Sequence, residues 1–103
     1  MTGLRFLVLP LLALLTVPAE ADIVMKPISC PLAPTGIGIV GAKGETDGVA
    51  AEYRWLRQNR PGWTRDSQRL IHRGDRDYDV LAISHGAEHE EICFDITEFF
   101  GKF

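Results

Sequence analysis

The stretch that most constrains this chain is residues 78–96, which read as two β-strands and the turn between them. Tyr78-Asp79-Val80-Leu81-Ala82-Ile83-Ser84 is rich in strand formers, and residues 85–91 are polar with a glycine near their start. Ile92-Cys93-Phe94-Asp95-Ile96-Thr97 then alternates large apolar residues with smaller or polar ones. A period of two suits a half-buried strand and fits no helix. Ile92, Phe94 and Ile96 would share one face, Cys93 and Asp95 the other. An isolated hairpin is marginal in water, so the rest of the chain has to cover it.

Residues 1–21 read as a segment outside the fold. Arg5 precedes an apolar run from Phe6 to Val17, interrupted only by Pro10 and Thr16, and Ala19-Glu20-Ala21 supplies a small-x-small cleavage pattern. That is the layout of a secretory signal peptide cut after Ala21. A stable membrane anchor would need about 20 apolar residues, and this run is shorter and broken by proline. The expected mature chain, residues 22–103, is sufficient for one small domain. Cores of that size benefit from a staple, and an exported chain meets an oxidising compartment. Cys30 and Cys93, its two cysteines, are therefore expected to form a structural disulfide joining the N-terminal segment to the last strand.

Loss of Arg5 and Glu20 with the leader leaves the net charge at −3. This balance argues against a nucleic-acid partner. Charge is nevertheless segregated: arginines 54, 57, 60, 65, 69, 73 and 76 precede acids 77, 79, 88, 90, 91, 95 and 98. A basic strand beside an acidic neighbour accounts for the pattern. A two-sided electrostatic surface for a partner is the sharper alternative.

Along residues 22–34, Pro27, Pro31 and Pro34 leave room for an extended arm with at most an edge strand. Residues 35–48 carry glycines 36, 38, 41, 44 and 48 and read as a flexible loop, with Ile37 and Ile39 available for a short strand. Gly36-Ile37-Gly38-Ile39-Val40-Gly41 matches the dinucleotide-binding spacing, but an exported chain this small does not accommodate the βαβ domain that the motif requires. Thr46-Asp47 opens a helix ended by Pro61-Gly62, with Val49, Tyr53 and Leu56 as its apolar stripe and Trp55 on the flank. Trp63 to Arg73 reads as a charged edge strand, and Gly74-Asp75 as the turn into Tyr78.

The fold expected is α+β: one helix on a three- to four-stranded antiparallel sheet, with an N-terminal arm tied on by Cys30–Cys93. Its divisions are a signal peptide at 1–21, an arm and glycine-rich loop at 22–45, and an αβββ domain at 46–103. Val49, Tyr53 and Leu56 should meet Ile92, Phe94 and Ile96. Residues 22–41 should cross the opposite face, bringing Ile23, Ile28 or Ile37 near Val80 and Ala82.

The order helix, Pro61-Gly62-Trp63, strand, Tyr78-Asp79-Val80-Leu81 strand, then a strand ending in Phe94-Asp95 resembles the αβββ unit of PepSY-type domains over about residues 46–97. The ending Phe94 to Lys102 is also similar to those of small exported proteobacterial proteins of unassigned function. The resemblance implies inhibitory or regulatory binding outside the cytoplasm and supplies no catalytic residues. Asp95-Ile96-Thr97-Glu98 departs from the glycine-containing turn of those units.

The candidate chemistry is sparse. His85 and His89, among Glu88, Glu90 and Glu91, are the candidate metal ligands, although a solvated polar turn explains them better. Asp75-x-Asp77-x-Asp79 opens like a calcium loop and fails at Val80 and Gly86, leaving Asp77 and Asp79 as solvent-facing strand residues. Arg73-Gly74-Asp75 is an adhesion tripeptide that a common turn pair also explains. Ser29, Ser67 and Ser84 lie in no nucleophile-elbow context. The sequence therefore points to a periplasmic, non-enzymatic, protein-binding module with no cofactor. Tyr53, Trp55 and Trp63 would be its aromatic anchors. The alternative is a metal-binding protein using His85 and His89.

Overall fold

The computed structural model describes residues 22–103; the proposed leader at 1–21 lies outside the described residues. The chain runs β1 (Val24–Ile28), β2 (Thr35–Val40), α1 (Glu45–Asn59), β3 (Thr64–Arg73), β4 (Arg76–His85) and β5 (Glu88–Asp95). The strands form one five-stranded sheet in the order β1-β2-β5-β4-β3. β2 runs parallel to β5, and the other pairs are antiparallel.

This corrects the expected fold. The sheet is mixed and five-stranded, and residues 22–45 are not an arm outside it. The correction turns on β2, whose glycines had suggested a loop. Gly36 and Gly38 instead sit in a buried strand, where a Cβ on Gly36 would lie 2.7 Å from the Ile28 carbonyl oxygen and 2.9 Å from the Cys30 Cβ. Their lack of a side chain lets the β1–β2 connection pass close over the sheet. Ile37 and Ile39 are buried on the opposite face. Pro27 is tolerated because β1 is an edge strand.

The hairpin at 78–96 forms, with a shorter turn than its polar stretch suggested. Gly74 and Gly86 take the left-handed conformation (φ 65° and 62°) in the β3–β4 and β4–β5 turns. Ile83 pairs with Glu90, Leu81 with Ile92, Asp79 with Phe94 and Val80 with Cys93. Odd positions of β4 and even positions of β5 therefore point to the helix, and the others point away.

On the helix side, Ile37, Ile39, Leu81, Ile83, Ile92 and Phe94 pack with Ala51, Leu56, Ile96 and Phe99. The packed face of α1 is Gly48, Ala51, Glu52 and Leu56, with Trp55 edge-on to Phe94 at 5.7 Å. Val49, expected inside, is 37% exposed. The helix is rotated because small residues bring it close to the sheet. A Cβ on Gly48 would overlap the Phe99 ring. Phe99 belongs to the C-terminal turn, which folds back so that Lys102 accepts a hydrogen bond from Glu45 N at 2.9 Å, while Glu45 Oε2 accepts one from Gly101 N at 2.7 Å.

On the other side Tyr78, Val80 and Cys93 are covered by Cys30, Leu32 and Ala33, flanked by Ile71. Cys30 and Cys93 are bonded, with their Cα atoms 6.4 Å apart. Among the described residues, the connection between β1 and β2 is the segment that crosses this face. Ile23 and Ile37 belong to the helix-side cluster, which corrects their expected placement, whereas Ile28 lies on the disulfide face beside Gly38. The disulfide fits an oxidising, extracellular compartment. Among the described residues no helix is long and apolar enough to cross a membrane.

Candidate functional site

The C-terminal half of α1 and the entry to β3 enclose a groove of about 230 Å³, lined by Tyr53, Leu56, Arg57, Arg60, Gly62, Trp63 and Arg65. Its shape follows from the helix stop. Arg60 N closes the last helical hydrogen bond on Leu56 O at 2.8 Å, and Gly62 with φ 84° reverses the chain. Trp63 then returns alongside the helix with its indole stacked on His85, ring centroids 5.7 Å apart. Arg65 lies over the Tyr53 ring, 4.3 Å from its centroid, and donates to Tyr53 Oη at 3.0 Å. Such stacking desolvates a guanidinium while leaving its remaining N–H groups free to bind an anion.

The three arginines of the groove are differently committed. Arg60 is held by Glu90 through Nε and Nη2 at 2.7 and 2.8 Å, and Glu90 also accepts from Thr35 Oγ1 at 2.9 Å. The Arg60 hydrogen bond holds the Glu90 carboxyl below the usual range, with smaller help from Thr35. Arg65 is hydrogen-bonded to Tyr53, and neither it nor Arg57 makes an ion pair among the described residues. The groove is thus an aromatic-walled site with two cations uncommitted to carboxylates.

Of the expected aromatic anchors, Tyr53 and Trp63 share this groove. Trp55 does not; it lies under the Arg60 guanidinium, 5.4 Å from its centroid, and against Phe94. Arg57 and Arg65 were not singled out by sequence reading, because nothing in a linear run of arginines tells which ones meet an aromatic wall.

His85 and His89 are not brought together. His85 projects to the helix side, stacked on Trp63, while His89 pairs with Ser84 on the opposite face beside Pro34, Asp66 and Glu91. Among the described residues no group of three or more His, Cys, Asp or Glu side chains converges as a metal cage. Another depression, of about 380 Å³, sets Lys26 and Arg76 against Asp95 and Glu98. Three of these charges are already engaged: Asp95 Oδ2 lies 3.2 Å from Arg76, and Glu98 accepts from Gly41 N at 2.7 Å.

A second polar arrangement escaped sequence reading. Glu52 of α1 and Asp79 of β4 are 1% and 3% exposed, so Asp79 is not the solvent-facing residue expected. Its odd position places it with Leu81 and Ile83 on the helix side. Asp79 Oδ2 accepts from Gln68 Nε2 at 3.1 Å, whereas Asp79 Oδ1 and Glu52 Oε2 receive nothing from a conventional donor. A proton on Glu52 would supply the missing bond to Asp79. Burial, then the hydrogen bond and charge of Asp79, push the Glu52 carboxyl up to about 10, against a pull from Arg65. The pair is sealed from solvent and offers no surface to a substrate. It fastens the helix to the sheet directly behind the groove.

Comparison with protein-family models, with curated proteins and with solved structures finds no match to this chain.

Proposed function

We propose that this chain is a small exported, non-enzymatic binding module of the bacterial periplasm, regulatory or inhibitory in role, that holds an anionic protein partner in the Tyr53–Trp63 groove. The observation that carries this reading is the pairing of two partly exposed aromatic walls with Arg57 and Arg65, neither of which is neutralised by a carboxylate. Aromatic and arginine side chains are the residues that dominate protein interfaces. The disulfide supports export, and the sequence resemblance of residues 46–97 to PepSY-type units supports a binding role. The arrangement gives little support to the metal-binding alternative, because its two histidines face opposite ways.

The test is a matched capture from a periplasmic extract, with the disulfide-intact protein and an Arg57→Glu/Trp63→Ala variant as baits. A partner retained by the first, lost by the second and released from the first by 0.5 M salt is expected. Identical retention by both baits would remove the groove from the account.

A further inference from the structure

The groove opens onto the start of β3, and among the described residues β3 is the sheet's one long unpaired edge. It ends the strand order, spans Thr64–Arg73, and is exposed at every position except the half-buried Ile71. β1, at the other edge, is short and carries Pro27, which has no N–H to donate. β3 contains no proline or glycine. Its ladder with β4 is irregular between Arg65 and Ser67, so the regular run available to a new strand is Ser67–Arg73.

That run has a distinctive side-chain pattern. Arg69 and Arg73 pair with Val80 and Arg76 of β4 and therefore lie on the disulfide side. Leu70, paired with Asp79, lies on the helix side and is 59% exposed. Arg73 makes no ion pair among the described residues, and Arg69 holds Glu91 only loosely, at 3.3 Å with both side chains about half exposed. Arg65, at the groove end of the strand, adds a third cation, and the strand's single acid, Asp66, sits in the bulge.

Cationic side chains are a usual protection of sheet edges, because they repel identical strands. Two β3 edges brought together would set three arginines against three. The same side chains favour an acidic strand, so the protection acts as a selector. We infer that β3 accepts an extended acidic segment of the partner by strand addition. Its acidic side chains would face Arg69 and Arg73 on one side, and an apolar side chain would cover Leu70 on the other. Backbone hydrogen bonds supply affinity in such complexes and alternate side chains supply choice. This rests on the proposed binding role and extends it from the groove along the edge.

The probes are two capped ten-residue peptides, alternating Glu-Val and alternating Lys-Val, titrated into the disulfide-intact protein with amide NMR and hydrogen exchange as readouts. The Glu-Val peptide is expected to shift and protect the amides of Ser67–Arg73, more weakly as salt rises. Arg69→Glu/Arg73→Glu, at two exposed positions, should weaken it at least tenfold and should gain binding of the Lys-Val peptide. That gain also demonstrates that the variant is folded. Equal binding of both peptides, no binding of either, or unchanged binding by the variant overturns strand addition. Shifts confined to Tyr53, Arg57 and Trp63 overturn it too, while leaving the groove reading in place. Pairing of β3 between two copies, seen as a dimer by sedimentation, would equally contradict it.

Discussion

The two faces of the sheet are closed by different means. On the helix side the cover is a fifteen-residue helix held by packing and by the Glu52–Asp79 pair. On the other side it is the connection between β1 and β2, small and proline-rich, held by one covalent bond. The difference follows from how much apolar area each cover brings. Ala51, Leu56 and Trp55 meet a broad aliphatic surface, and burial at roughly 25 cal/mol per Å² accounts for the hold. Leu32 and Ala33 bring far less, so a bond does the work that area cannot. The lesson is that one cover is sensitive to protons and the other to reductant, and that the proposed binding groove belongs to the first.

The comparison is tested most severely by removing the bond. Cys93→Ser should cost about 2–5 kcal/mol, as is typical of a native disulfide in a small secreted domain. Limited proteolysis should then cut between residues 29 and 34 first, with the β4–β5 hairpin surviving longest. Early cleavage in α1 instead would show that the helix is the weaker cover. Next in size is Gly48→Ala. Alanine favours a helix by about 1 kcal/mol, but here its methyl would enter the Phe99 ring, and overpacking costs about 1–3 kcal/mol. A net loss in urea unfolding is expected, and a gain would show that the helix is packed less tightly than described. The smallest effect belongs to Arg60→Ala. Its pair with Glu90 is about a quarter exposed on each side, so the loss should stay below ~1 kcal/mol. Because the Glu90 carboxyl is lowered, this contribution is present at neutral pH and disappears as pH falls through its folded-state value. A double-mutant cycle with Glu90→Gln measures it.

Much of this architecture is legible in the residues. The period-two run at 92–96 places Cys93 opposite Ile92 and Phe94, and the structure puts it there, bonded to Cys30. The helix and the strands after it follow their stop signals at Pro61-Gly62 and Gly74. β2 was hidden because its glycines serve a close approach by a segment distant in sequence, which looks locally like a loop. The helix face was hidden because Glu52 reads as charged. Once Glu52 is protonated, Gly48, Ala51, Glu52, Trp55 and Leu56 form a continuous packed face, at a spacing the sequence does contain. The groove was half legible. Tyr53 and Trp63 stand out as aromatic residues, but only the turn at Gly62 brings them together and sets Arg57 and Arg65 beside them.

If a proton shared by Glu52 and Asp79 closes the helix side, the pH dependence of unfolding shows it directly. The Glu52 carboxyl lies above its ordinary value of 4.5 in the folded chain, at about 10. Within that window the unfolded chain releases a proton that the folded chain keeps. Stability is therefore fullest in acid and falls as pH rises, by up to about 1.4 kcal/mol per pH unit for one proton. Glu52→Gln keeps a donor for Asp79 and removes the titration. Urea unfolding of both proteins at pH 5 and pH 8 isolates Glu52, since other titrations common to the two cancel in the difference. The predicted result is a wild-type protein that loses up to about 4 kcal/mol of stability between pH 5 and 8 relative to the variant. Equal pH dependence in the two proteins would contradict the shared proton.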